Sequence, residues 1–156
     1  MAERDHLALA EVPIGTYFTA TIIDRAQLCL RIRAGDILVV SDDPPHLLLP
    51  ALGDATGTPI VTPSFRPQAD GIEDRRRKPQ FGDIVLWSRD RSHQRRALCA
   101  KCEGAPAELF VDLATGESLP LLGLEGTVAS VWSKWEALDR QRNIICRFPP
   151  RRWTPS

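Results

Sequence analysis

Long apolar runs, surplus charge, lysines and early serines are all scarce in this chain, and each scarcity removes a class of function. No stretch approaches the roughly 20 apolar residues that cross a bilayer as a helix, so no membrane association is expected. The N-terminal residues MAERDHLALAEVP alternate in charge and lack a basic start followed by an apolar run, which argues against a secretion signal. Formal net charge is zero, so the chain as a whole is not an electrostatic glove for nucleic acid or anionic lipid. No serine precedes position 41, and the only lysines are Lys78, Lys101 and Lys134. The four cysteines, without a secretion signal, are expected as reduced thiols in a cytoplasmic protein.

What the chain does have is strand material. With 156 residues, 43% of them hydrophobic, it is long enough for one domain with a substantial core. TYFTATII (16–23), DILVV (36–40), FGDIVLW (81–87), RRALCAKC (95–102), AELFVDL (107–113), EGTVASVW (125–132) and NIICRF (143–148) are short, β-branched or aromatic runs separated by Gly, Pro or Asp. Two of them enter through Gly-Asp, where Gly permits a tight turn and Asp can bond the turning backbone. Residues 41–80 hold seven of the thirteen prolines and read as a long Pro-rich insertion, docked through LLLPAL (47–52) and carrying a basic tip at 74–78. Helical signals are confined to 4–12 and to 133–142, where Ser133 and Glu136 have capping-box spacing. The organisation expected is an arm over 1–15, a β-rich domain over 16–148 and a Pro/Arg-rich tail over 149–156.

A turn at Arg25-Ala26-Gln27-Leu28, a second at Ile32-Arg33-Ala34-Gly35-Asp36, and then FGDIVLW, ALCAKC, AELFVDL and LEGTVASVW follow one another in order. This ordered set, spanning roughly 16–135, resembles the catalytic domain of the LexA-like serine peptidases, which are related in fold to bacterial signal peptidases. The resemblance implies a mostly β protein, a partly closed β-barrel or coiled sheet with the long Pro-rich insertion and few short helices. It also implies a serine nucleophile served by a buried neutral lysine, since a hydroxyl does not ionise unaided at neutral pH. Gln27 stands at the nucleophile position, and an amide cannot form an acyl intermediate. Lys101 is the candidate remnant base, although a gap-free count puts Leu98 at that place. No self-cleavage bond of Ala-Gly or Cys-Gly type precedes the first strand, where Gly15 follows Ile14, and no helix-turn-helix is expected ahead of it.

The remaining constellations are weaker. Cys99-Ala100-Lys101-Cys102 has CxxC spacing, but in a strand the two thiols would face opposite ways, and Cys29 and Cys146 are isolated; neither a metal nor another cofactor is expected. Trp87 and Trp132 read as core. The function this supports is a catalytically inactive, protein-binding or regulatory module, with an unidentified protein partner or a second copy docking along a strand edge. An alternative is a nucleic-acid accessory protein using Arg75, Arg76, Arg77, Lys78, Arg95, Arg96, Arg151 and Arg152 as a discontinuous patch. A further alternative is an active Ser-Lys hydrolase with a displaced nucleophile such as Ser41 or Ser88.

Overall fold

The computed structural model describes residues 7–22, 24–32, 36–48, 56–73, 78–88, 94–102, 108–119 and 128–150. The β-branched and apolar runs become strands. In chain order these are β1 (Leu7–Ala8), β2 (Tyr17–Ile22), β3 (Arg25–Arg31), β4 (Ile37–Val39), β5 (His46–Leu48), β6 (Thr56–Ile60), β7 (Ser64–Pro67) and β8 (Ile72–Glu73). The second half adds β9 (Ile84–Trp87), β10 (Arg95–Lys101), β11 (Glu108–Asp112), β12 (Ser118–Leu119), β13 (Val128–Trp132), β14 (Trp135–Leu138) and β15 (Ile144–Phe148).

Among the described residues, twelve strands form one sheet in the order β1-β6-β2-β3-β4-β5-β10-β9-β13-β8, with β11 and β12 branching from β10. The remaining three form a short sheet, β15-β14-β7. The large sheet is two plates: residues 7–60 supply β1 to β6, residues 72–132 supply the rest, and among the described residues the join is the one parallel pairing of His46 with Lys101. The Lys101 N–H donates to Pro45 O at 2.8 Å across it.

The strands carry apolar residues on both faces because both faces are covered. Tyr17, Leu28, Leu30 and Leu38 of the first plate meet Ile84, Leu98 and Val111 of the second in a shared core, which Phe65, Trp135 and Phe148 of the short sheet close. On the opposite face, Phe18, Cys29 and Val39 pack under Leu9 and Val12, while Val85, Trp87, Cys99 and Phe110 form a separate cluster. The Gly-Asp formula at strand entry is visible at Gly82, whose φ is +93°. The Phe148 ring lies where a Cβ would stand, and Asp83 Oδ2 accepts the Gln80 N–H at 2.7 Å.

Two expectations are corrected. The LexA-like partly closed barrel or coiled sheet gives way to an open path, whose end strands β1 and β8 do not pair with each other among the described residues. The few short helices are replaced as well: no α-helix occurs among the described residues, and the one helical turn is a 3-10 turn at Leu9–Glu11. Within 4–12, Leu7 and Ala8 pair with β6 instead. Within 133–142, Trp135 and Ala137 are drawn into the shared core on one face of β14, and Glu136 is held on the other by Arg66 and Arg147. A tertiary pattern of period two overrides the local capping signal there.

Residues 41–80, read as a Pro-rich insertion, supply β5 to β8 and so contribute to both sheets. The prolines are placed where a missing N–H costs little. Pro44 and Pro45 precede β5, Pro63 precedes β7, and Pro67 ends it. Pro59 lies inside β6, opposite Phe18.

Candidate functional site

The first plate and the last strand approach each other beside the start of β3. Here β3 outruns its neighbour. The Val40 N–H donates to Leu28 O at 2.8 Å, and β4 then leaves the sheet. The Ser41 hydroxyl takes over as the ladder ends, accepting the Leu28 N–H at 2.9 Å. By the two-residue period, the N–H and C=O of Ala26 point the same way as those of Leu28, toward a side that β4 no longer covers.

The Ser41 hydroxyl, having accepted from Leu28, donates its own hydrogen to Gln27 Oε1 at 2.5 Å. That fixes the Gln27 amide with its oxygen toward Ser41 and its nitrogen away. Gln27 is 8% exposed, and its Nε2 has no hydrogen-bond partner among the described residues. A buried side chain thus holds two N–H donors in reserve.

Gln27 is also one of the residues lining a cavity of about 450 Å³ between the start of β3, residues 41–42 and β15. Its walls include Arg25, Asp42, Ile144, Ile145, Cys146 and Arg147. A second cavity of about 450 Å³ shares Thr19 and Ile145 with the first and is lined further by Ile60, Val61 and Arg140, so the two adjoin along one side of β15. Ile144 (41% exposed) and Val61 (51%) are two of the four large apolar residues left open to solvent among the described residues. β15 pairs with β14 alone, leaving its outer edge without a strand partner among the described residues.

Charge is arranged across the short sheet, where Glu136 of β14 stands opposite Arg66 of β7 and Arg147 of β15. Arg66 Nε lies 2.6 Å from Glu136 Oε1, and Arg147 Nε lies 3.4 Å from Glu136 Oε2. The hydrogen bond from Arg66, aided by Arg147, holds the Glu136 carboxyl below its usual range against the opposing cost of burial. Burial pushes the Cys146 thiol up to about 12, so the groove holds an inert neutral thiol rather than a nucleophile.

The residues singled out by sequence fall in different places. Gln27 is among the residues that line the groove. Lys101 is exposed at the end of β10, three ladder steps from β3 through Cys29, Val39 and His46, roughly 14 Å across the sheet. The structure does not bring the two together. Ser41, named as a displaced nucleophile, does touch Gln27, but its hydrogen goes to an amide oxygen and not to a base. Ser88 lies just past β9.

Of the basic patch, Arg75, Arg76, Arg77, Arg151 and Arg152 lie outside the described residues, and Lys78 is exposed. Arg95 stands 3.5 Å from Asp112 Oδ2 and lies over the Trp87 ring, and Arg96 lies over the Trp132 ring. Cys99 is buried in β10 and its thiol is pushed up to about 12 by desolvation, while Cys102 follows the strand's end. No cluster of three or more metal-ligating side chains occurs among the described residues.

Sequence reasoning found Gln27 and the strand 143–148 but not their adjacency, and it passed over Arg25 and Ile144. The one local signal was Ser41, the first serine of the chain, directly after the apolar run of β4. Set against protein-family models, curated proteins and solved structures, the chain finds no match.

Proposed function

We propose that this chain is a non-hydrolytic protein-binding module whose groove between β3 and β15 takes an extended segment of a partner protein. The observation that carries the reading is the Gln27 amide. Ser41 anchors its oxygen, leaving two N–H donors uncommitted on a residue that lines a groove with backbone at Ala26 and apolar side chains at Ile144 and Val61. A peptide main chain needs that combination of carbonyl-directed donors, open strand edge and shallow aliphatic seats. Hydrolysis would need an activated hydroxyl, and no base touches Ser41 among the described residues. The reading keeps the inactivity expected from Gln27 and does not require a peptidase fold.

The test is a panel of fluorescein-labelled extended peptides measured by anisotropy on the wild type and on Gln27→Ala. Loss of one hydrogen bond of about 0.5–1.5 kcal/mol should weaken binding about two- to twelvefold. Ile144→Arg, which places charge on the aliphatic wall, should weaken it further. Turnover of any peptide by the wild type, or affinities indifferent to both substitutions, would overturn the assignment.

A further inference from the structure

We infer that the segment seated in this groove is an aliphatic, extended stretch of another protein that carries an acidic residue at the end lying beside Arg25 and Arg147. The inference rests on the peptide-binding reading above and adds polarity and chemistry to it.

Charge divides the groove into unlike ends in a chain whose total formal charge is zero. At one end stand Arg25, Arg147 and a single carboxylate, Asp42. Asp42 is turned toward His46, whose Nδ1 lies 3.8 Å from it. Arg25 is exposed and has no ion-pair partner among the described residues. Arg147 shares one carboxylate with Arg66, which holds the shorter contact, so the Arg66–Glu136–Arg147 row carries one positive charge in excess. At the other end Asp139 and Arg140 balance each other, and between the ends lie Ile60, Val61, Ile144 and Ile145.

An occupant complementary to that sequence of surfaces has aliphatic side chains along its middle and a carboxylate at the arginine end. Guanidinium groups favour such a partner because their planar donors match the two carboxylate oxygens. Gln27 lines the same cavity as both arginines and would receive a main-chain carbonyl next to the acidic residue. β15 is five residues long, which sets the length of edge against which the segment could lie.

Four probes test this: the peptide Val-Thr-Val-Thr-Val extended by Glu or by Gln at its N-terminal or its C-terminal end. Each is labelled with fluorescein and titrated by anisotropy with the full chain at low salt. One Glu peptide should bind about three- to fivefold tighter than its Gln counterpart, the size of a partly exposed ion pair. The preference should vanish in Arg25→Gln, shrink in Arg147→Gln and fade as salt is added, while the affinities of the Gln peptides should change by a smaller factor than those of the Glu peptides. Equal binding of Glu and Gln peptides would overturn the acidic requirement yet leave the groove a peptide site. Failure of all four to bind folded protein would overturn both readings. A reversible dimer in sedimentation, abolished by both Arg25→Gln and Gln27→Ala, would make a second copy the occupant and overturn the inference in a third way.

Discussion

Arginine occupies two contrasting settings in this protein. At the start of β10, Arg95 lies over Trp87 beside the buried Asp112, and Arg96 lies over Trp132. At the start of β3, Arg25 lines a cavity and has no ion-pair partner among the described residues. The polar neighbours follow suit. Asp112 Oδ1 accepts the N–H groups of Ala114 and Thr115, closing the turn after β11, whereas Gln27 keeps its nitrogen uncommitted. A polar group spent on its own fold stabilises architecture. One held rigid from behind but unspent in front is suited to recognition.

Substitutions and a chemical treatment bear on this contrast. The largest effect should come from Asp112→Ala, which strips two turn N–H groups of their acceptor and removes the carboxylate beside Arg95; unfolding in urea should show a loss of about 2–3 kcal/mol. A loss as small as that of a surface site would break the distinction. Ser41→Ala should cost about 1–2 kcal/mol because the Leu28 N–H is left without a partner, while Gln27→Ala should cost less than about 1 kcal/mol and act on binding instead. Equal stability losses for the two would make Gln27 an architectural residue like Asp112.

The smallest difference is expected between thiols in the two settings. Burial pushes Cys99 in the core and Cys146 in the groove wall up to about 12 alike. Neither should react appreciably with iodoacetamide in native protein at pH 8, since the thiolate is the reactive form. Because the neutral thiol is favoured only in the folded chain, the stability it contributes is complete below the ordinary thiol value of 9.0 and is lost as pH climbs toward about 12. Urea midpoints should therefore fall above pH 9, less steeply in Cys146→Ala.

Much of the β character was legible in the chain. The runs at 16–23, 36–40, 81–87 and 143–148 coincide with β2, β4, β9 and β15, because sustained β-branched and aromatic residues leave few alternatives. The strand over Arg25–Arg31 was not visible, since Arg25, Gln27 and Arg31 break the apolar run and pairing with β2 makes the strand. The Pro-rich segment misled for a related reason: proline forbids a donor at one position, not a strand around it, and Phe65 two residues after Pro63 still reaches the core. Glu136 misled because its partners, Arg66 and Arg147, are 70 and 11 residues away. The groove was the least legible feature, as it exists only where β3 and β15, at opposite ends of the sequence, come together.

The one-step join between the plates bears on how the chain is made. Residues 7–60 contain every strand of the first plate, so a ribosome releases that plate entire before any residue of the second appears. Until residues 65–148 follow, Leu28, Leu30 and Leu38 lack most of the cover on their inner face. The nascent protein therefore passes through a stage in which a finished half-sheet is greasy on one side, a natural client for a chaperone.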